Sequence, residues 1–213
     1  MTVWDDLKPL LLSLEEAGAL TIYPNPRDDE DRHPPFSIHL AAWASTYAID
    51  LHNRFRDDVE LHVGALRYPD PQPRLWHEGF DQTPVVDPSV ALVTLPEPIE
   101  VESGHSLQAS LRVRCCGTKE MKFSSDGGHL TAVIVDPETE TVVGGSTAPV
   151  PASLVVFGVP PNEERDVPLL VGTESFLPEL GYSIPAGAWR LAAVLRIASD
   201  PAVRTPYLPM TVR

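Results

Sequence analysis

The chain has 213 residues, 43% of them hydrophobic, with 23 prolines and 13 glycines, an inventory suited to many short strands joined by turns rather than to long helices. Its formal net charge is -14 and its sequence pI about 4.8, so its field repels phosphate backbones and anionic headgroups and excludes nucleic acid and membrane surfaces as partners. No stretch approaches the roughly eighteen apolar residues of a membrane span, no leader pattern opens the chain, and the two cysteines are adjacent, so a cytoplasmic protein without structural disulfides is expected.

Trp4, Leu7, Leu11 and Leu14 recur at helical spacing and Gly18 stands at a C-terminal cap position, which predicts an amphipathic helix over 4–17. An extended stretch follows at Ala19–Tyr23. The loop from Pro24 to Pro35 carries Asp28, Asp29, Glu30 and Asp31. It lacks the alternation and glycine of a calcium loop, so a solvated run is expected. Phe36–Leu40 and Val59–Ala65 alternate as strands, and Ala42–Phe55 between them has helical spacing. Residues 1–69 thus read as a small α+β unit. Residues 70–90, with four prolines after Pro69, read as a connector whose Trp76 and Phe80 dock on one neighbour or the other.

From Ala91 to the end the pattern is β, with strands expected at 99–101, 107–115, 130–135, 141–143, 154–159, 167–171, 189–197 and 207–212. Leu107, Ala109, Leu111, Val113 and Cys115 fall on one face of the longest of these and charge or hydroxyl on the other. Asp136–Thr141 is the clearest hairpin turn. Pro168, Pro206 and Pro209 predict edge strands, where a missing N–H is harmless. The fold class expected is mainly β: an immunoglobulin-like antiparallel β-sandwich over 91–213, preceded by the small α+β unit.

Leu107–Arg114 followed by Cys-Cys-Gly-Thr, then the strand at Leu130–Val135, Val159-Pro-Pro-Asn-Glu-Glu and Ile184-Pro-Ala-Gly-Ala-Trp-Arg-Leu make residues 95–213 resemble the immunoglobulin-like domains of bacterial intracellular proteinase inhibitors. That resemblance implies a sandwich and, by analogy, a protein-binding role. The family pattern has Asn where this chain has Cys115 and Cys116, and no reactive-site residue can be matched.

Several residues carry chemistry that could support a site. His39, His52, His62 and His77, with Asp50, lie within the first 80 residues, but none has zinc-ligand spacing, so no metal is expected. Cys115 or Cys116 with His105 or His129 would need an electropositive pocket, and Cys115 instead continues a buried face. Ser124–His129 holds the residue types of a hydrolase triad, yet triad members converge from separate elements, and Asp126-Gly127-Gly128 reads as a turn. The recognition segment predicted is the long connection 172–185, with Glu174, Phe176, Leu177 and Tyr182 as binding residues; the plainer alternative has Phe176 and Tyr182 plugging one end of the sandwich. The expected function is a non-enzymatic protein-interaction module, without catalytic residues or cofactor. The alternatives are an enzyme or small-ligand binder with a site between the two units, and a self-assembling component pairing through edge strands.

Overall fold

The computed structural model describes residues 3–22, 36–71, 85, 91–94, 98–124, 130–146, 156–195 and 203–213. The first unit orders its elements as α1 (Val3–Glu16), β1 (Leu20–Ile22), β2 (Phe36–Leu40), α2 (Ser45–Phe55), β3 (Val59–Val63) and β4 (Leu66–Tyr68). Helix α1 ends as its spacing predicts. Gly18 takes φ +68°, its N–H donates to the Glu15 carbonyl, and the Ala19 N–H reaches back to Leu14, a glycine-terminated end that satisfies carbonyls of the last turn. The four strands form one sheet in the order β1-β2-β3-β4. β2 and β3 pair in parallel because α2 carries the chain back across the sheet.

The pleat sorts β2 and β3 cleanly. Phe36, Ile38 and Leu40 with Val59, Leu61 and Val63 face the helices and bury against Leu7, Leu11, Leu14, Ala48, Leu51 and Phe55. Ser37, His39, Glu60 and His62 stand on the opposite face, partly covered.

The second part contains β5 (Ala91–Thr94), β6 (Ile99–Val101), β7 (Ser106–Cys115), β8 (Met121–Ser124), β9 (Leu130–Val135), β10 (Val142–Gly145), β11 (Val156–Val159), β12 (Glu164–Gly172), β13 (Glu174–Ser175), β14 (Gly187–Leu195), β15 (Val203–Arg204) and β16 (Leu208–Val212). One sheet runs β13-β10-β9-β14-β16-β6, with β15 against β14; the others are β12-β7-β5 and β11-β8. Leu111, Val113 and Cys115 of β7 and Val167, Leu169 and Val171 of β12 share a core with Ile134, Leu191, Ala193, Leu195 and Met210 of the large sheet. The protein is mainly β, with two layers of strands closed on one apolar interior.

Four details depart from the sequence reading. The sandwich is not wholly antiparallel: β6 runs parallel to β16, Met210 opposite Ile99. Pro209 is not on an edge strand, since β16 lies between β14 and β6. The β6 pairing begins only at Met210, however, so on that side Pro209 leaves no ladder bond unmade. Leu107, on the buried phase of β7, is 40% exposed because it lies at the end of its strand, while Pro168 does lie on an edge, in β12. Finally, the far face of the large sheet is not solvated. Val133, Val135, Val142, Ala192 and Val194 form a second buried layer with Phe176 and with Ala65 from the first unit.

Candidate functional site

The segment expected to recognise a partner is folded inward. β13 hydrogen-bonds to β10, Ser175 opposite Gly144 and Glu174 opposite Gly145, while the Ser175 N–H donates to the Tyr182 carbonyl (3.1 Å) and the Ile184 N–H to that of Thr173 (2.8 Å). The result is a miniature hairpin tipped by a 3-10 turn at Pro178–Leu180. Gly144 is required beneath it, because a Cβ there would sit 2.3 Å from the Glu174 carbonyl oxygen. Thr173 is fully buried and its hydroxyl lies 2.8 Å from the Glu102 carbonyl and 2.9 Å from that of His105, tying the hairpin to the turn before β7.

Each predicted binding residue can now be placed. Phe176, 4% exposed, packs into the layer that includes Ala65, and its N–H donates to the Val143 carbonyl. Glu174 is equally buried; its Cβ and Cγ lie against Gly64 in the β3–β4 turn. Tyr182 packs on the helix-bearing core, its ring 6.2 Å from Tyr68, and burial followed by the neighbouring Tyr68 pushes its phenol above the ordinary value. Leu177 remains half-buried against the sandwich core. The segment therefore grips the first unit of its own chain.

A second contact completes the seam. His105 stacks on Trp43, centroids 5.7 Å apart, and Gly104 at φ +80° lies so close beneath Trp43 that a Cβ would meet its backbone nitrogen at 2.7 Å. The Ser103 hydroxyl lies 2.7 Å from the Ile184 carbonyl and 2.9 Å from the Ser183 hydroxyl.

The described histidines, His39, His52, His62 and His105, do not converge on a cleft between the units. His39 and His62, in register on β2 and β3, stack at 4.6 Å; the Ser37 hydroxyl lies 3.2 Å from His39 Nε2, and a Glu60 oxygen lies 3.6 Å from His62 Nε2. His52 sits edge-on to Tyr68 across the sheet's helical side, and His105 meets Trp43 rather than another histidine. Among the described residues no three His, Cys, Asp or Glu side chains are grouped to hold a metal ion. Cys115 and Cys116 are free thiols; Cys115 is buried and its thiol donates to the Lys119 carbonyl at 3.2 Å. Asp28–Asp31, His77, Trp76, Phe80 and His129, like most of the Ser124–His129 run, lie outside the described residues. No described helix is long and apolar enough to cross a membrane.

Two concavities were not legible in the sequence, because each depends on how α2 lies on its neighbours. A groove of about 200 Å3 between α1 and α2 is lined by Leu10, Leu14, Tyr47 and Leu51, with Asp50 and Arg54 at its rim. A larger polar cleft of about 480 Å3 opens between the end of α2 and the β3–β4 edge, lined by His52, Arg56, Asp57, Arg67 and Tyr68 among others.

No family model matches this chain, and no curated protein matches it. Among solved structures, 57% of the chain is similar to 16% of a β-glucosidase from Listeria innocua in complex with glucose (12% identity, TM-score 0.35). In the same range, 58% of the chain is similar to 49% of Spo0M, a sporulation control protein from Bacillus subtilis (12% identity, TM-score 0.34). The CARDB domain of PF1109 from Pyrococcus furiosus, in complex with di-metal ions, matches 58% of the chain over 86% of its own (10% identity, TM-score 0.26). The chain thus spans under half of the first two, and the similarity to these β-rich domains is weak.

Proposed function

We propose that the chain is a non-enzymatic protein-interaction module whose docking face is the helical layer of the first unit, and that it accepts a basic amphipathic segment of a partner protein. The observation that supports this is the groove between α1 and α2, where Tyr47 stays 39% exposed beside Leu10, Leu14 and Leu51. Helix α1 carries exposed Asp5, Asp6, Glu15 and Glu16 against Lys8 alone, and α2 contributes both Asp50 and Arg54 to the lining. An apolar slot under a negative field on a chain of net charge -14 suits a cationic helix in charge and shape.

The second part serves as the scaffold in this reading. An immunoglobulin-like sandwich of the intracellular proteinase-inhibitor kind is supported by its two facing layers and by the Pro185–Gly187 turn, which the Trp189 indole closes by donating to the Pro185 carbonyl at 2.9 Å. Self-pairing is the weaker alternative, since β12 lines its edge with Glu164, Arg165, Asp166 and Pro168, residues that discourage strand addition.

The test is capture on the purified chain followed by identification and cross-linking of what is retained. A retained protein should carry a basic amphipathic segment and lose at least tenfold in affinity with Tyr47→Asp. Retention unchanged by Tyr47→Asp, cross-links mapping to 172–185, or no retained protein would overturn the proposal.

A further inference from the structure

The polar cleft at the end of α2 is built from groups of both signs around an aromatic wall. Arg56 and Asp57 follow the last turn of α2, both exposed, and neither side chain makes a hydrogen bond or ion pair among the described residues. Arg67 across the cleft is differently placed, 3.8 Å from a Glu60 oxygen that also lies near His62. Tyr68 forms the wall. Its ring is held edge-on by His52 at 5.6 Å and tilted against Tyr182 at 6.2 Å, while its hydroxyl makes no hydrogen bond among the described residues. The contact with Tyr182 means that this wall is fixed by the second part of the chain.

Arg56 is also the one described residue whose backbone departs from the ordinary regions at a cavity rim, with φ 38° and ψ -105°, while its N–H closes the helix on the His52 carbonyl. Such a conformation is strained for an L side chain and commonly marks a functional position. From this arrangement we infer that the cleft binds a small zwitterion, an amino acid or dipeptide. The Arg56 guanidinium and the Tyr68 hydroxyl receive the carboxylate, Asp57 receives the ammonium group, and the apolar side chain lies on the Tyr68 ring. A volume of about 480 Å3 accommodates a ligand of that size, and charge-assisted hydrogen bonds at opposite ends select for both termini.

The experiment is titration calorimetry of the whole chain with the dipeptide Ala-Leu, its N-acetyl form and its C-terminal amide. Saturable millimolar binding is expected for the free dipeptide, weakened at least threefold by either block. Arg56→Gln should erase the difference between acid and amide, and Asp57→Asn the difference between amine and acetamide. Both side chains are exposed, and circular dichroism of each variant verifies the fold. Absence of saturable binding up to about 10 mM overturns the inference. It is overturned equally by less than threefold discrimination among the three forms, or by folded variants that discriminate as wild type does. The Tyr47→Asp variant, which tests the helical groove, should bind the dipeptide normally, so the two proposals fail separately.

Discussion

The imidazole of His105 lies flat on the indole of Trp43, centroids 5.7 Å apart and planes within 4° of parallel. One ring belongs to the turn before β7 and the other to the turn before α2, so this stack, with Phe176, Glu174 and Tyr182 on the same seam, makes the two halves of the chain one packed body. Two consequences of that seam can be measured.

Gly104→Ala should open that seam. The added methyl would meet the Trp43 backbone at 2.7–2.9 Å, which cannot yield as a side-chain tip can, and φ +80° adds strain. A loss of about 2–4 kcal/mol is expected in urea denaturation. Gly18→Ala is the control: φ +68° but nothing within 4 Å of the new carbon, so only about 1 kcal/mol should be lost. Equal losses would show that the seam is soft.

Phe176→Ala should cost about 3–5 kcal/mol, the penalty for emptying a buried aromatic site, because the ring is 4% exposed between β9, β10 and Ala65. Leu177→Ala, next in the chain but half-buried, should cost less than about 2 kcal/mol by the same comparison of thermal melts. A neutral Phe176→Ala would mean the hairpin is not docked in solution.

Acid should weaken the protein through two surface carboxylates. The Arg112 guanidinium holds Asp166 below its ordinary value of 3.8 with a forked pair at 2.8 and 3.0 Å, and the backbone N–H groups of Thr139 and then Glu138 hold Asp136 below the same value. A carboxylate whose folded value is depressed contributes stability that is complete above its unfolded value and is lost as pH falls through the folded one. The stabilising share is therefore present at neutral pH and disappears below about pH 4. Asp136→Asn and Asp166→Asn should lower the melting temperature at pH 7 and flatten its fall between pH 4 and pH 2; variants with the wild-type acid slope would refute this assignment.

Arg56→Gly should raise stability. Glycine accepts φ 38° and ψ -105° without a Cβ clash, and the gain of about 0.5–1 kcal/mol corresponds to a rise of about 1–4 °C in a chain of this size. A lower melting temperature would mean that the arginine side chain repays its backbone strain within the free protein.

Much of the first unit was legible because its signals are local. The spacing of Leu7, Leu11 and Leu14 with Gly18 beyond them, and the alternation of Phe36, Ile38 and Leu40, specify helix and strand within one window of sequence. Ile99–Val101 and Leu130–Val135 have the boundaries that alternation predicts, and Asp136 turns the hairpin with its own carboxylate. Met121–Ser124 and Glu174–Ser175 escaped notice because so few residues give alternation little to work on, and β13 pairs with β10, thirty residues away, so its strand character is set by a distant ladder.

By itself the sequence determined periodicity, charge and the β character of the second part, all properties of neighbours along the chain. Only the tertiary structure decided that Phe176 and Glu174 turn inward, that Ala192 and Val194 are covered, and that Arg56, Asp57 and Tyr68 share a cleft. The physical reason is that a phenylalanine in a long connection has the same composition whether it meets another molecule or its own chain. Which surface removes it from water is set by contacts between residues far apart in sequence, such as Phe176 and Ala65, and no local pattern encodes them.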